Sequence, residues 1–335
     1  MVLSVAAPPG VGQTTKRVVV SDCPHDVPDV EAAVAARHRA AFMVYDCADE
    51  AETAAATGGA DVVLNNFAPM TRKVLAGLAK GAAVIRYGVG YDNVDVVAAS
   101  ELGVRVANVP DYGTGTLADH AAALLLALLR RLPHYGAAMA ADGWCAKRAF
   151  GPLRAFASTT VGLVGAGRIG MALAQKLRGL GFNLIAYDKY LDPAVLVEAG
   201  IEPVGFEPLL GRAHAVSLHL PLDATTRHLI GAEALSWMRP DAVIVNTARG
   251  GLIDAEALAQ ALRTGALAGA GLDVFEAEPM DPDSPLRQMD QVILTPHVAF
   301  VSQDSSANLQ RLAAEELDRV LCGANPKDWV NRPPA

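Results

Sequence analysis

Val161-Gly162-Leu163-Val164-Gly165-Ala166-Gly167-Arg168-Ile169-Gly170 is the stretch on which the fold turns. An apolar run leads into glycines at 165, 167 and 170, and a helical segment, Met171 to Leu180, follows. Gly165 admits a tight turn, Gly167 lets the backbone approach a pyrophosphate, and Gly170 lets helix and strand pack closely. The helix start offers unpaired N–H groups and partial positive charge to phosphates. Asp188 closes the next apolar run, Leu184-Ile185-Ala186-Tyr187, 18 residues beyond Gly170. A carboxylate there accepts from both ribose hydroxyls and repels a 2′-phosphate, so the pattern predicts NAD over NADP. The bland alternative is a Gly-rich turn with a solvated aspartate. A Rossmann unit for FAD or SAM is a separate one.

Further along, three polar residues follow β-like runs. Arg249 lies in Asn246-Thr247-Ala248-Arg249-Gly250-Gly251, after the run Ala242 to Asn246. Glu278 lies in Asp273-Val274-Phe275-Glu276-Ala277-Glu278-Pro279, after Gly269 to Asp273, and His297 in Thr295-Pro296-His297, after Gln291 to Leu294. Ligands of open α/β sheets sit beyond the carboxyl ends of the strands. A guanidinium binds a carboxylate bidentately and polarises a carbonyl. An imidazole exchanges a proton near neutral pH, and a carboxylate beside it fixes the tautomer. Singly, each has a bland reading as a surface charge, a loop acid or a strand cap, and Glu276 competes with Glu278. As a set beside a nicotinamide they equip a chain for hydride transfer to a 2-oxo acid.

Before the loop the same βα rhythm runs from Arg17. Arg17 to Val20, Ala41 to Tyr45, Asp61 to Leu64, Ala83 to Arg86 and Val104 to Ala107 read as strands, and Asp29 to Arg39 as a helix. Thr71 caps a further helix that Gly81 ends. Gly113 to about Ala141 reads as one long helix containing the apolar run Ala121 to Leu129. The other strands of the second series are Thr160 to Val164, Asn183 to Tyr187 and Ala213 to Leu218. The last helix, Ser302 to Leu321, has no strand after it.

At 335 residues the chain has room for about two domains. It is 52% hydrophobic, 19% charged and only 5% aromatic, so large cores are built from small side chains. Its 28 Lys plus Arg against 36 Asp plus Glu leave a formal charge of −8, which argues against nucleic-acid or anionic-membrane partners. Cysteines at 23, 47, 145 and 322 form no ligand-like spacing and read as reduced thiols. The longest apolar run is nine residues, short of the roughly 20 that span a bilayer, and no secretory signal is visible, so a cytoplasmic location is expected.

Together these motifs resemble the NAD-dependent D-isomer-specific 2-hydroxyacid dehydrogenases, in the branch of phosphoglycerate-dehydrogenase-like enzymes and C-terminal-binding-protein corepressors. The resemblance rests on Arg86-Tyr87-Gly88-Val89-Gly90-Tyr91-Asp92-Asn93-Val94-Asp95, Asn108 to Tyr112, Ala118-Asp119-His120, Gly165 to Gly170, His219-Leu220-Pro221-Leu222, Asn246 to Gly251, Asp273 to Pro279 and Thr295 to His297. It implies Arg249 as substrate-binding and polarising residue, His297 as acid/base, and Glu278 as its partner, chosen over Glu276 because it precedes the proline. It implies that the Val89 and Gly90 amides receive the substrate carboxylate with Arg86 nearby. Gly165, Gly167, Arg168, Ile169, Gly170 and Asp188 would hold the cofactor's phosphates and ribose. Leu220, Pro221, Thr226, Thr247, Ala248 and Asp273 would line the nicotinamide side. Phe300 stands where the corepressor-like branch often has Trp, and with Asn65, Asn66 and Tyr87 it leaves the substrate's side chain open.

The resemblance further implies an α/β chain of two open, doubly wound parallel-sheet domains. A Rossmann cofactor domain (112–298) is inserted into a flavodoxin-like substrate domain (17–111 and 299–331). Residues 1–16, which carry Pro8, Pro9, Gly10 and Gly12 and have no counterpart in the family, read as a flexible extension. The active site is expected in the cleft, with hinges near 111–114 and 297–301. A homodimer is expected, with the helix after Gly113 in the contact; the run Leu124 to Leu129 is otherwise hard to bury within one domain, unless it is simply core. No C-terminal regulatory domain is visible, so serine control is not expected. The alternatives are an NADH-binding corepressor-like scaffold with vestigial catalysis and a phosphite- or formate-type dehydrogenase.

Overall fold

The computed structural model describes residues 3–5, 15–25, 27–147 and 149–333. Its first strands and helices are β1 (Leu3–Val5), β2 (Arg17–Val20), α1 (Asp29–Arg37), β3 (Ala41–Val44), α2 (Glu50–Thr57), β4 (Val62–Asn65), α3 (Arg72–Ala76), β5 (Ala83–Arg86), α4 (Val96–Glu101) and β6 (Arg105–Ala107). Two helices follow, α5 (Thr114–Leu129) and α6 (Leu132–Asp142). Then come β7 (Thr160–Val164), α7 (Arg168–Gly179), β8 (Asn183–Tyr187), α8 (Pro193–Glu198), β9 (Glu202–Pro203), α9 (Phe206–Arg212), β10 (Ala215–Leu218), α10 (Ala232–Trp237), β11 (Val243–Asn246), α11 (Ala255–Arg263), β12 (Gly269–Leu272), β13 (Val292–Leu294) and α12 (Gln303–Leu321). Contacts divide the chain into one unit of Met1–Gly113 with Ser302–Ala335 and another of Thr114–Val301.

In the first unit the sheet order is β1-β3-β2-β4-β5-β6, all neighbours parallel except β1, which runs antiparallel to β3. Leaving β1 aside, this is the flavodoxin-like 2-1-3-4-5 order. The strand β1 falls inside the segment expected to be a loose extension; residues 1, 2 and 6–14 of that segment lie outside the described residues. Strands β2, β4 and β5 are buried almost throughout, as a parallel sheet covered on both faces requires. The terminal helix α12 belongs to this unit. Its Leu309, Ala313, Ala314, Leu317, Val320 and Leu321 are buried, and it packs on α1 and β5. A polar clamp reinforces the contact: Tyr87 Oη donates to Glu31 Oε1 at 2.9 Å and Gln310 Nε2 to Glu31 Oε2 at 3.1 Å. Ser302 caps α12 in a reciprocal capping box with Ser305. Past the helix no full strand forms among the described residues, but the Val330 N–H donates to Val106 O, and Trp329 bridges Ala107 at the sheet edge.

The second unit has an all-parallel sheet ordered β13-β12-β11-β10-β7-β8-β9. Counted from β7, that is the Rossmann order 3-2-1-4-5-6 with one more strand outside the sixth. The order reverses between β7 and β10, and the glycine loop leaves β7 at that switch point. The single long helix expected from Gly113 to Ala141 is instead two. Arg131 takes a left-handed φ of 54° between α5 and α6, and Pro133 lies in the first turn of α6. Proline has no N–H to give the carbonyl four residues back, so a continuous helix would be broken there. The expected difficulty of burying Leu124 to Leu129 also disappears: Leu124, Leu125 and Leu128 are core residues of this unit, and Leu126 and Leu129 pack against the same core. Close approach is possible because β12 carries glycines beneath α5. A Cβ at Gly271 would meet Leu124 Cβ at 3.1 Å, and one at Gly269 would meet Leu128 Cδ2 at 3.3 Å. The helix expected from Thr71 to Gly81 is also short: Thr71 caps α3, which ends at Ala76. No helix among the described residues is long and apolar enough to cross a membrane.

Candidate active site

The cofactor loop is built by backbone geometry. Gly165 has φ 93°, and a Cβ there would sit 2.8 Å from His219 O. At Gly170 a Cβ would sit 2.4 Å from Gly165 O, so any larger residue would push α7 off the loop. Gly167, the N-cap of α7, faces open space: a Cβ there would have nothing within 4 Å. Arg168 and Ile169 begin α7, where the free N–H groups lie. Asp188 directly follows β8 and turns toward the loop: its Oδ2 accepts from Ala166 N at 2.8 Å, its Oδ1 from Tyr190 N at 2.9 Å and Leu191 N at 3.0 Å. Burial pushes this carboxyl up, but the three N–H donors outweigh it and hold it below the ordinary aspartate range.

Opposite, Thr226 Oγ1 donates to Pro221 O at 2.8 Å and accepts from Asp223 N, which fixes the turn after Leu220. Thr247 is buried, and its Oγ1 has no hydrogen-bond partner, as is true of His219 Nε2 beneath the glycine loop. Unpartnered buried polar atoms are uncommon in native folds. An open cradle at Gly167, a free helix start, an ionised Asp188 and the unsatisfied Thr247 hydroxyl together fit a nicotinamide dinucleotide.

Arg249 is placed by β11. Asn246, the last residue of that strand, accepts from Ala248 N at 3.0 Å and donates to Arg249 O at 2.8 Å, closing a tight turn. Arg249 Nη1 donates to Ala248 O at 2.7 Å. Gly250 then lies against the chain that leads to Glu278: a Cβ there would come within 1.9 Å of the Phe275 carbonyl carbon.

The histidine and its acid meet directly, His297 Nδ1 to Glu278 Oε2 at 2.6 Å. Glu278 Oε1 also accepts from Phe275 N at 3.0 Å. Burial raises the Glu278 carboxyl, but His297, the Phe275 N–H and the charge of Arg249 prevail and keep it below the usual glutamate range. His297 itself has a left-handed φ of 54°, a conformation that persists only where surroundings enforce it. Asp273 does the enforcing. Its backbone oxygen accepts from His297 N at 2.8 Å, and its fully buried carboxylate accepts from Thr295 Oγ1, Val298 N and Ala299 N. This carboxylate, expected on the nicotinamide side, clamps the His297 turn. His120, on α5, reaches the same clamp through Thr295 Oγ1 at 3.0 Å. The Phe300 ring stands edge-on to His297, centroids 6.1 Å apart. Glu276, the competing acid, pairs with His228.

Arg86, Val89 and Gly90 belong to the first unit. Arg86 is buried, with its guanidinium 5.6 Å from the Phe67 ring centre and Nη1 donating to Tyr87 O. It folds over Gly88, whose φ of 121° and lack of a side chain make room for it. Asn108 Nδ2 donates to Val89 O at 2.7 Å. In a trans peptide the N–H points opposite its carbonyl, so the Gly90 N–H is aimed away from Asn108. Nearby, Asp22 gathers the backbone N–H groups of Asn66, Phe67 and Ala68, and Asn93 Nδ2 donates to Asn65 Oδ1. Asp22, Asn93, Asn246, His120, His228 and Gly250 were not singled out from sequence. Only the motif strings that contain Asn93, His120, Asn246 and Gly250 held a signal for them.

A Rossmann sheet with an arginine and a histidine–glutamate pair at its strand ends defines a nicotinamide-linked oxidoreductase. The comparisons narrow that class. The model of the family described as "D-isomer specific 2-hydroxyacid dehydrogenase, NAD binding domain" matches residues 122–299. The chain is 40% identical over 268 residues to a glyoxylate reductase of Korarchaeum cryptofilum, covering 79% of this chain and 80% of that one. It is 42% identical over 287 residues to the D-3-phosphoglycerate dehydrogenase of Mycobacterium leprae, covering 85% of this chain but 54%, about half, of that protein's length. The crystal structure of a glyoxylate reductase from Paecilomyes thermophila superposes with a TM-score of 0.85 at 27% identity, covering 95% of this chain and 99% of that one. The chain belongs to the D-isomer-specific 2-hydroxyacid dehydrogenases, a family of NAD-dependent oxidoreductases.

Proposed function

We propose that the enzyme interconverts a D-2-hydroxy acid and its 2-oxo acid, with His297 as the proton-exchanging group and Arg249 as the group that binds and polarises the substrate. Bound NAD supplies hydride chemistry at C2. The observation that carries this reading is the 2.6 Å His297–Glu278 contact on a histidine clamped in a strained conformation. Glu278 meets Nδ1, which supports Nε2 as the proton-exchanging nitrogen. In the reducing direction the protonated imidazole gives its proton to the carbonyl oxygen, and Glu278 stabilises that cation. Arg249 holds the carboxylate and draws electron density from the carbonyl. The Gly90 N–H and the neighbouring Val89 amide receive the carboxylate, with Arg86 close by and Phe300 bordering the side chain. Gly165, Gly167, Arg168, Ile169 and Gly170 hold the pyrophosphate, Asp188 the adenosine ribose, and Leu220, Pro221, Thr226, Thr247 and Ala248 the nicotinamide side.

The test is a panel of 2-oxo acids with NADH, run beside formate and phosphite with NAD⁺. Turnover of one or more 2-oxo acids is expected. His297→Gln and Arg249→Ala should each lower kcat/KM by about a thousandfold or more while NADH binding persists. Near-normal turnover in both variants would overturn these assignments.

A homodimer goes with this reading, and α6 is the surface that suits it. Among the described residues of α6 none is buried, and Leu132, Met139 and the following Trp144 are exposed. Light scattering should give twice the 34.9 kDa chain mass. The double variant Leu132→Asp, Met139→Asp should shift it toward the monomer. An unchanged mass in that variant would place the contact elsewhere.

A further inference from the structure

Within the first unit, the C-terminal ends of α1 and α12 bring three different donor atoms together. His38 caps α1, Cys322 caps α12, and Asp318 lies one helical turn before Cys322 on the same face. His38 Nε2 is 2.8 Å from Asp318 Oδ1 and 4.0 Å from Cys322 Sγ, and all three ligand atoms lie within 4.8 Å of one another. We propose that His38, Asp318 and Cys322 form a binding site for a borderline divalent transition-metal ion, of which Zn²⁺ is the best match.

The geometry separates this arrangement from a nucleophile relay. A Cys–His–Asp relay needs the acid on one ring nitrogen and the thiol on the other. Here both approach Nε2. Convergence of an imidazole nitrogen, a carboxylate oxygen and a sulfur on one point is instead the donor set of zinc. With bonds of about 2.0–2.3 Å, ligand atoms around tetrahedral zinc stand roughly 3.3–3.7 Å apart. The Nε2–Oδ1 pair would open by about half an ångström and the Nε2–Sγ pair close by less. The thiol is exposed at a helix end and the histidine is partly open to solvent, so both have room to turn, and water can complete the coordination.

Two cations stand against the site. The Arg37 guanidinium lies 3.3 Å from Asp318 Oδ1, and Lys16 Nζ donates to Leu321 O at 3.0 Å. Arg37 is 62% exposed, and such a surface ion pair is weak enough for a doubly charged ion to displace it. Binding releases the thiol proton, because zinc takes Cys322 as thiolate and His38 as neutral imidazole. The bound ion would join a helix near the beginning of the first unit to the last helix of the chain.

The experiment uses the full chain, stripped with chelator and titrated with Zn²⁺ by calorimetry and with Co²⁺ by absorbance. Expected are one ion per chain, a near-ultraviolet thiolate-to-cobalt charge-transfer band, and a Zn²⁺-dependent rise in melting temperature. Cys322→Ser leaves the His38–Asp318 pair intact and should abolish the band. His38→Gln should weaken binding by about tenfold or more, as loss of a direct ligand demands. Arg37→Gln should tighten it. Absence of the band in the wild type, or a band and affinity unchanged in Cys322→Ser and His38→Gln, would overturn the proposal.

Discussion

At the scale of single residues, His219 has the sharpest measurable consequence. Its Nε2 is buried beneath the glycine loop without a partner, and burial pulls the imidazole down to about 4. In the unfolded chain a histidine takes up its proton near pH 6.5. Between these values the unfolded state binds a proton that the folded state refuses, so stability is full above pH 6.5 and falls as pH drops toward 4. From pH 7 to pH 5 this one group should remove about 2 kcal/mol. Denaturant unfolding of the wild type and of His219→Gln at both pH values isolates the effect. The stability difference between them should shift by that amount, and parallel pH curves would refute it. Glu278 behaves oppositely. Held below the ordinary glutamate range, it stays ionised beside His297 as the medium acidifies through that range.

At the scale of elements, the loop from Phe275 to Glu278 and the turn after β11 act as one piece. Gly250 is the point of contact, because any side chain there would overlap the Phe275–Glu276 peptide. Gly250→Ala should displace Glu278 by an ångström or more and lower kcat by about a hundredfold, with little change in the circular dichroism of the fold. Full activity in that variant would show that the loop does not position the acid. Gly250 was legible in the sequence only as part of a string. Its neighbour across the contact is 25 positions away, and no local pattern announces such an approach. The strand–loop–helix at 160–179 was legible because its apolar run and glycine spacing are local patterns, even though β7 pairs with the distant β8 and β10. The break at Arg131 was not, because the Leu-rich helical pattern overshadowed Pro133 just beyond it. Asp22 and Asp273 were opaque as clamps for the same reason as Gly250: their partners lie in loops that follow other strands, more than 20 positions away.

At the scale of the whole molecule, two α/β units followed from the alternation of apolar runs and helical segments, whereas the insertion of one into the other and the return of the last helix to the first unit were implied only by the family resemblance. The segment Thr114–Val301 contains a complete sheet and its own cores. Expressed by itself, it should fold cooperatively, with a single melting transition that NADH shifts upward. Residues 1–113 alone should fail to do so, since α12 covers part of their core. A cooperative transition in the 1–113 fragment would contradict this account.

The place of α12 also sets a timetable. During synthesis the ribosome makes the strands of the first sheet early and the helix that covers them last, with about 190 residues in between. At 5–20 residues per second that interval is roughly 10–40 s. The nascent chain therefore carries an uncovered apolar face while the inserted unit is being made, and chaperone demand should peak in that interval and end when α12 emerges.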